Sequence, residues 1–233
     1  MNAKTLSAIV VSSLLIAVVV IVFAGRHGGR RTHEKVPLDV QLKEFERLGI
    51  KMNEGATIQD LTNCWPRESL EADPYNSLYS AFGFAQEVPP NLYFCNQIWS
   101  FDTEGMIEGM EYDTLLKQIG RISGGELQFG YVSAEYKEDD ANPEVTIAFD
   151  LNGTRFSWTI NPYKDWNSPA FLAELNDFAR KQGLKGRLIW NRSWGQDWTL
   201  GWHTPEQLSA LQDLGVDIVE VDPGVTSRPR PKQ

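Results

Sequence analysis

The chain has 233 residues and a mass of 26.3 kDa, with 22 lysine and arginine residues against 31 aspartate and glutamate residues. Because 42% of the residues are hydrophobic and only two are cysteines, the composition is typical of a globular protein and excludes a disordered, fibrous or disulfide-dense chain. The net charge of −9 argues against a nucleic-acid-binding protein, which presents a basic surface.

The chain begins with a stretch that predicts a transmembrane helix. The residues from Leu6 to Ala24 carry no charge, and about 20 apolar residues cross the core of a bilayer. A cleaved signal peptide is the main alternative, although its apolar region is usually only about 7–15 residues long. A buried soluble helix fits less well, because the stretch has no polar face. We therefore expect a single-pass anchor that contacts the lipid bilayer of the cell (inner) membrane.

The residues around this span bear on its orientation. A head of residues 1–5 contains Lys4, whereas the basic linker of residues 25–36 contains Arg26, Arg30 and Arg31. Positive residues favour the cytoplasmic side, so the distribution favours a cytoplasmic domain after the span. A periplasmic domain behind an uncleaved signal anchor stays open as the alternative.

The first half of the following chain predicts short helices and two strands. Leu38, Leu42, Phe45 and Leu48 fall on one helical face, and Gly49 supplies the stop. Apolar spacing and breaking residues predict the later elements in order: a capped helix from 57, helical pieces over 68–84, a strand over 91–101, a helix over 112–122 and a strand over 127–136.

The second half predicts two hairpins and two helices. Asn152 and Gly153 separate two alternating segments, and this dipeptide favours a type I′ turn because both residues need a positive φ. Residues 187–191 and 198–202 predict the second hairpin. A helix follows each hairpin, over 169–182 and from Pro205, where Thr204 and Gln207 form a capping box. A strand over 216–221 completes the prediction.

These elements predict an α+β fold in which one mixed domain follows the membrane helix. The domain covers residues 37–225, with antiparallel hairpins and helices that begin at Ser-Pro or Thr-Pro, and a helical N-terminal lobe is one way to arrange it. The tail of residues 226–233 is basic and rich in proline, which predicts disorder.

The domain is more acidic than the whole chain. Residues 68–150 contain 3 basic and 16 acidic residues, a net charge of −13. A surface with one sign of charge steers partners of the opposite sign and disfavours partners of the same sign. We therefore expect a basic protein partner that contacts Asp102, Glu104 and Glu108. A solvated acidic surface without a partner is the simpler alternative.

The sequence gives little support to catalysis. The carboxylates between Asp102 and Asp113 could supply the acid–base pair of a glycoside hydrolase. Cys64 or Cys95 could act beside His203, pair as a disulfide, or be buried structural thiols, which we favour. No motif for a metal or a cofactor occurs in the sequence, and we expect neither.

The tryptophans single out the second hairpin, which contains four of the eight: Trp190, Trp194, Trp198 and Trp202. Trp198 and Trp202 lie two residues either side of Leu200, so all three point to one face of a strand, and we expect this face to lie in the core. The loop residues Trp194, Gln196 and Asp197 instead predict a contact with a protein or a glycan.

Several short stretches resemble a family of uncharacterised bacterial proteins over most of residues 38–221. The stretches are YFCN at 93–96, Trp99, FDTE at 101–104, FDLNG at 149–153 and TPEQL at 204–208. Small acidic proteins of this type resemble the immunity proteins of bacterial toxin systems. The resemblance implies a non-enzymatic protein that neutralises a toxin by binding it, and the predicted anchor favours a toxin that acts at the envelope. An envelope factor that uses the Trp-rich hairpin and a hydrolase are the alternatives.

Overall fold

The computed structural model describes residues 34–85, 93–102, 112–137, 144–160, 169–191 and 197–222. The predicted head, membrane span and tail, and most of the predicted linker, lie outside these residues. From Lys35 onward the described chain belongs to one compact unit. No helix of the described residues is long and apolar enough to cross a membrane.

Four short helices form the N-terminal part: α1 (Leu38–Arg47), α2 (Ile58–Cys64), α3 (Arg67–Ala72) and α4 (Asn76–Phe82). Local sequence sets their ends. The hydroxyl of Thr57 accepts a hydrogen bond from the Asp60 amide, and the Asp60 carboxylate accepts one from the Thr57 amide. Gly49, with φ of 80°, follows α1. The predicted helical pieces over 68–84 are confirmed as α3 and α4.

A four-stranded antiparallel sheet lies at the centre of the domain. Its strands are β1 (Ile98–Asp102), β5 (Arg187–Asn191), β6 (Asp197–His203) and β7 (Ile218–Glu220), in the order β1-β6-β5-β7. The predicted second hairpin is confirmed, since β5 and β6 pair with Leu188 opposite Trp202 and Trp190 opposite Leu200. We therefore call these four strands the central sheet.

A second antiparallel sheet has three strands: β2 (Phe129–Lys137), β3 (Glu144–Leu151) and β4 (Thr154–Ile160), in that order. Asn152 and Gly153 form the turn between β3 and β4, with φ of 51° and 81°. This confirms the predicted hairpin. The Asn152 side chain also bonds the 126–128 segment, accepting from the Gln128 amide and donating to the Glu126 carbonyl.

Three further helices complete the described chain: α5 (Tyr112–Ile122), α6 (Pro169–Lys181) and α7 (Pro205–Asp213). The core has two hydrophobic clusters, which the central sheet separates. One cluster holds α1–α4 and α7 against Ile98, Ile189 and Ile218. The other holds α5, α6 and the second sheet against Leu188, Leu200 and Trp202. The fold is therefore α+β with antiparallel sheets, and its helical N-terminal part shares the central sheet with the rest.

Two buried amide side chains connect segments that are distant in sequence. Asn176 of α6 donates to the carbonyl oxygens of Leu188 and Val221, both at 2.9 Å, and accepts from the Leu188 amide at 2.7 Å. Gln41 of α1 donates to the carbonyl oxygens of Val36 and Leu70 and accepts from the Tyr75 amide at 2.8 Å. Both side chains are fully buried. Such groups stabilise a core only when they are hydrogen-bonded, and here they are.

The segment before β1 differs from its prediction. The sequence predicts a strand over 91–101, whereas the strand begins at Ile98. The preceding turn is held instead by long-range contacts: the Cys95 amide donates to the Phe82 carbonyl, and the Arg121 guanidinium donates to the carbonyls of Cys95 and Ile98. The backbone groups that a strand would use are therefore occupied by α4 and α5.

Candidate functional site

Two of the predicted binding residues, Asp102 and Asp197, fall at one end of the central sheet. Asp102 ends β1 and Asp197 begins β6, and the register of the two strands makes them direct partners. The last residue of β1 therefore lies beside the first residue of β6. Glu104, Glu108, Trp194 and Gln196 lie outside the described residues, as do the side chains of Asp102 and Asp197. The fold thus brings together one residue from each of the two segments that were predicted separately as contacts.

A row of aromatic side chains lies on β1, β6 and β5 next to this end. The rings of Trp99 and Phe101 stack with centroids 3.9 Å apart, and Phe101 lies 6.2 Å from Trp198. Trp198 in turn meets Trp190 edge to face at 5.3 Å. We call these four residues the aromatic row. The sequence pattern identified the two tryptophans of the hairpin but not their continuation through β1.

Burial differs along the aromatic row. Trp99 and Phe101 are buried, whereas Trp190 and Trp198 are half-buried. Trp202, on the same face, is only 5% exposed, which confirms its place in the core. The prediction that Trp198 is equally a core residue is only partly right, because Trp198 is half-buried although it lies on the same face of β6 as Trp202. Its partial exposure gives the sheet end an accessible aromatic surface.

Within the described residues, no cysteine is hydrogen-bonded to a histidine. His203 Nε2 lies 3.0 Å from the Tyr79 hydroxyl oxygen, and this hydrogen bond is buried. Burial raises the pKa of the Cys95 thiol to about 11, so the thiolate needed for nucleophilic attack is not available at neutral pH. Cys64 and Cys95 are both free, so the possible disulfide is absent. Cys95 is a buried structural thiol as favoured, but Cys64 is exposed.

The buried imidazole makes the stability of the fold depend on pH. Burial lowers the pKa of His203 from 6.5 to about 3, and burial also raises the pKa of Tyr79. The unfolded chain therefore binds the extra proton between pH 6.5 and pH 3, and the folded chain does not. The contribution of the neutral imidazole is complete above pH 6.5 and is lost as the pH falls.

We expect this effect to lower the free energy of unfolding by about 2 kcal/mol between pH 8 and pH 5. Urea unfolding of the full chain at a series of pH values measures it. The control is His203→Gln, whose side-chain amide can still meet the Tyr79 hydroxyl but does not titrate. The carboxylates also titrate with pH in both proteins, so the contribution of His203 is the difference between their pH slopes. Equal pH slopes in the two would contradict the assignment.

The YFCN stretch has a structural role in this domain. Phe94 and Cys95 are fully buried, and the Arg121 guanidinium lies 3.7 Å from the centroid of the Tyr93 ring. Asn53 donates both to the Tyr93 carbonyl and to the Asn96 side chain. The stretch therefore positions the start of β1. Likewise the Thr204–Gln207 capping box is present, and Gln207 also donates to the Leu48 carbonyl.

Among residues 34–85, 93–102, 112–137, 144–160, 169–191 and 197–222, no three histidine, cysteine or carboxylate side chains are grouped to hold a metal ion. No protein-family model, curated protein or solved structure matches the chain.

Proposed function

We propose that this protein is a membrane-anchored, non-enzymatic binding protein that captures a basic protein partner at the end of the central sheet. Its most concrete form is an immunity protein that neutralises an envelope-acting toxin by direct binding. The anchor would be residues 6–24, in the inner membrane, with a cytoplasmic domain slightly favoured by the basic linker. The observation that carries the proposal is the pairing of Asp102 with Asp197.

This pairing supports a single composite contact. The acidic run continues from Asp102 through Glu104 and Glu108, and the hairpin loop with Trp194 and Gln196 ends at Asp197. Both segments join the sheet at adjacent backbone positions. The half-buried Trp190 and Trp198 lie just inside the same end. Carboxylates around an aromatic centre suit a basic partner, because charge steers the encounter and buried aromatic contacts slow dissociation.

A growth assay with a defined pair tests the proposal. The product of the gene adjacent to this one, directed to the cell envelope, is expected to stop growth, and co-expression of the full chain is expected to restore it. The purified pair should bind directly. A toxic neighbour that the full chain neither binds nor neutralises, or a neighbour without toxicity, would contradict the immunity function.

The acidic residues give a sharper prediction for the same pair. The double change Asp102→Asn with Asp197→Asn should slow association several-fold at low salt and change dissociation less. The matched control is Asp213→Asn with Glu174→Gln, which removes two exposed carboxylates from helices and the same net charge. Salt at about 1 M reduces the Debye length to about 3 Å and should abolish the difference. Equal association rates for both double variants would place the contact elsewhere.

An envelope factor that binds a glycan is the second candidate. The edge-to-face pair of Trp190 and Trp198 favours it, since both rings are half-buried and close to the hairpin loop. Binding of a cell-wall polysaccharide to the full chain, lost on Trp194→Ala and insensitive to salt, would support this candidate over a basic protein. The hydrolase that the acidic run suggests stays a prediction from sequence.

A further inference from the structure

The four outer strands of the two sheets have very different edges. The free side of β1 is covered, because the Ser100 amide donates to the Gly83 carbonyl at 2.8 Å. Strand β7 has three residues. Strand β2 has a register shift between Phe129 and Val132 and carries charged residues near its end. Coverage, shortness, irregular register and charge all discourage pairing between edges. Strand β4 has seven residues in a continuous register with β3, it is not covered by another part of the described chain, and its one charged residue, Arg155, is paired with Asp150 of β3.

Three residues of β4 point their backbone amides and carbonyls away from β3. A two-residue turn makes Leu151 and Thr154 a hydrogen-bonded pair, and pairing then alternates along the register, so that residues 154, 156, 158 and 160 bond to β3. The amides and carbonyls of Arg155, Ser157 and Thr159 therefore point outward. Within the described residues, no backbone hydrogen bond from outside the sheet reaches β4.

The sequence of β4, TRFSWTI, has one charge, no proline and no glycine, and its residues favour strands. Residues 154, 155, 157 and 159 are exposed, while Phe156 and Trp158 are half-buried at the edge of their cluster. An edge with these features is a template for another strand. We propose that β4 pairs antiparallel with β4 of a second copy of this chain, which joins the two three-stranded sheets into one of six strands.

A second copy is the occupant that the strand itself fits. With Ser157 opposite Ser157 on the two-fold axis, Arg155 of each copy faces Thr159 of the other, and all three outward residues find backbone partners. Phe156 of each copy then lies opposite Trp158 of the other on the core side. These are non-hydrogen-bonded positions, where side chains come closest. The half-buried rings would cover one another across the axis.

The charge on β4 disfavours the alternative register centred on Arg155. An alignment centred on Arg155 would place the two guanidinium groups opposite each other, and like charges in directly opposed positions destabilise a strand pair. The alignment centred on Ser157 separates them. Each Arg155 also keeps its ion pair with Asp150 of its own copy, since that pair lies on β3 and β4. The interface is isologous, as expected for a closed dimer.

Sedimentation of the full chain in a neutral detergent tests the pairing. Ser157→Pro removes the central outward amide but no bond to β3, and proline is tolerated on an edge where its nitrogen faces solvent. Ser157→Ala removes the hydroxyl and keeps the amide. We expect a monomer–dimer equilibrium in the wild type and in Ser157→Ala. In Ser157→Pro the association constant for dimerisation should be at least about ten-fold lower. A wild type that stays monomeric up to about 0.5 mM would overturn the proposal. So would equal constants for the two variants.

Two variants at position 159 test the register and do not depend on proline being tolerated. Thr159→Glu should strengthen the dimer several-fold, because the new carboxylate faces Arg155 of the other copy, and Thr159→Arg should weaken it. Both lose the same hydrogen bond to Thr146, so they are matched in that respect. Salt should shrink both effects. Shifts in the same direction, or no shift, would overturn the pairing centred on Ser157.

Discussion

Replacing Trp202 by alanine is expected to lower the free energy of unfolding by about 3–5 kcal/mol, the usual range for a buried aromatic side chain. The indole is 5% exposed and packs in the cluster that joins the central sheet to α5, α6 and the second sheet. It also lies against the backbone at Gly186, where even an added Cβ would come within 1.9 Å of Nε1. The surrounding backbone leaves little freedom to collapse into the resulting cavity.

Urea unfolding of the full chain measures this change, and Trp198→Ala is the matched control. Both residues lie on the same face of β6, but Trp198 is half-buried. We expect about 1–2 kcal/mol for Trp198→Ala, because less apolar surface returns to water. A fully buried Trp198, as predicted from the sequence, would give a larger loss in the free energy of unfolding. An equal, severe loss in both variants would mean that the aromatic row serves the core alone.

Asn176→Ala is expected to cost about 3 kcal/mol or more, although the residue is polar. Its amide satisfies the Leu188 amide and the carbonyls of Leu188 and Val221, inside the core and between α6, β5 and the segment after β7. Removing it leaves the Leu188 amide and the Val221 carbonyl buried without that partner, whereas the Leu188 carbonyl still accepts from the Val221 amide. A buried group left unpaired loses its full solvation, which exceeds the net value of one ordinary hydrogen bond.

Gln212→Ala provides the comparison for Asn176→Ala. Its side chain also donates to a backbone carbonyl, that of Ile218 at 2.9 Å, but Gln212 is exposed, so water can replace the bond. We expect a cost below about 1 kcal/mol in the same urea unfolding experiment. Similar losses for both variants would show that burial does not determine how much these side-chain amides stabilise the fold.

The structural meaning of individual sequence motifs was largely predictable, because each motif acts within a few residues. Asn152 and Gly153 adopt the positive φ values that the hairpin needs. Thr57 and Thr204 cap their helices with the partners three residues later. The alternation in β3 places every second side chain in the core. In these cases the local backbone geometry limits the choice to one conformation.

The candidate site could be predicted only in parts. The acidic residues and the tryptophans each identified one segment as a candidate contact. Nothing in either segment indicated that Asp102 would pair with Asp197. That pairing depends on β1, which comes before the second sheet in the chain, docking on β6 of the later hairpin. The half-burial of Trp198 likewise depends on which elements reach the end of the central sheet.

The sequence by itself determined the type and approximate ends of the described helices and strands and the α+β class, because capping, turn conformation and apolar periodicity are local properties. Only the tertiary structure decided the order β1-β6-β5-β7 and the use of Asn176 and Gln41 as buried connections. It also decided that β1 begins at Ile98 and not near residue 91. These features depend on which backbone groups, distant from one another in the sequence, come to lie within hydrogen-bonding distance in the folded chain. Most buried donors and acceptors of a folded protein are hydrogen-bonded, and their partners can come from any part of the chain.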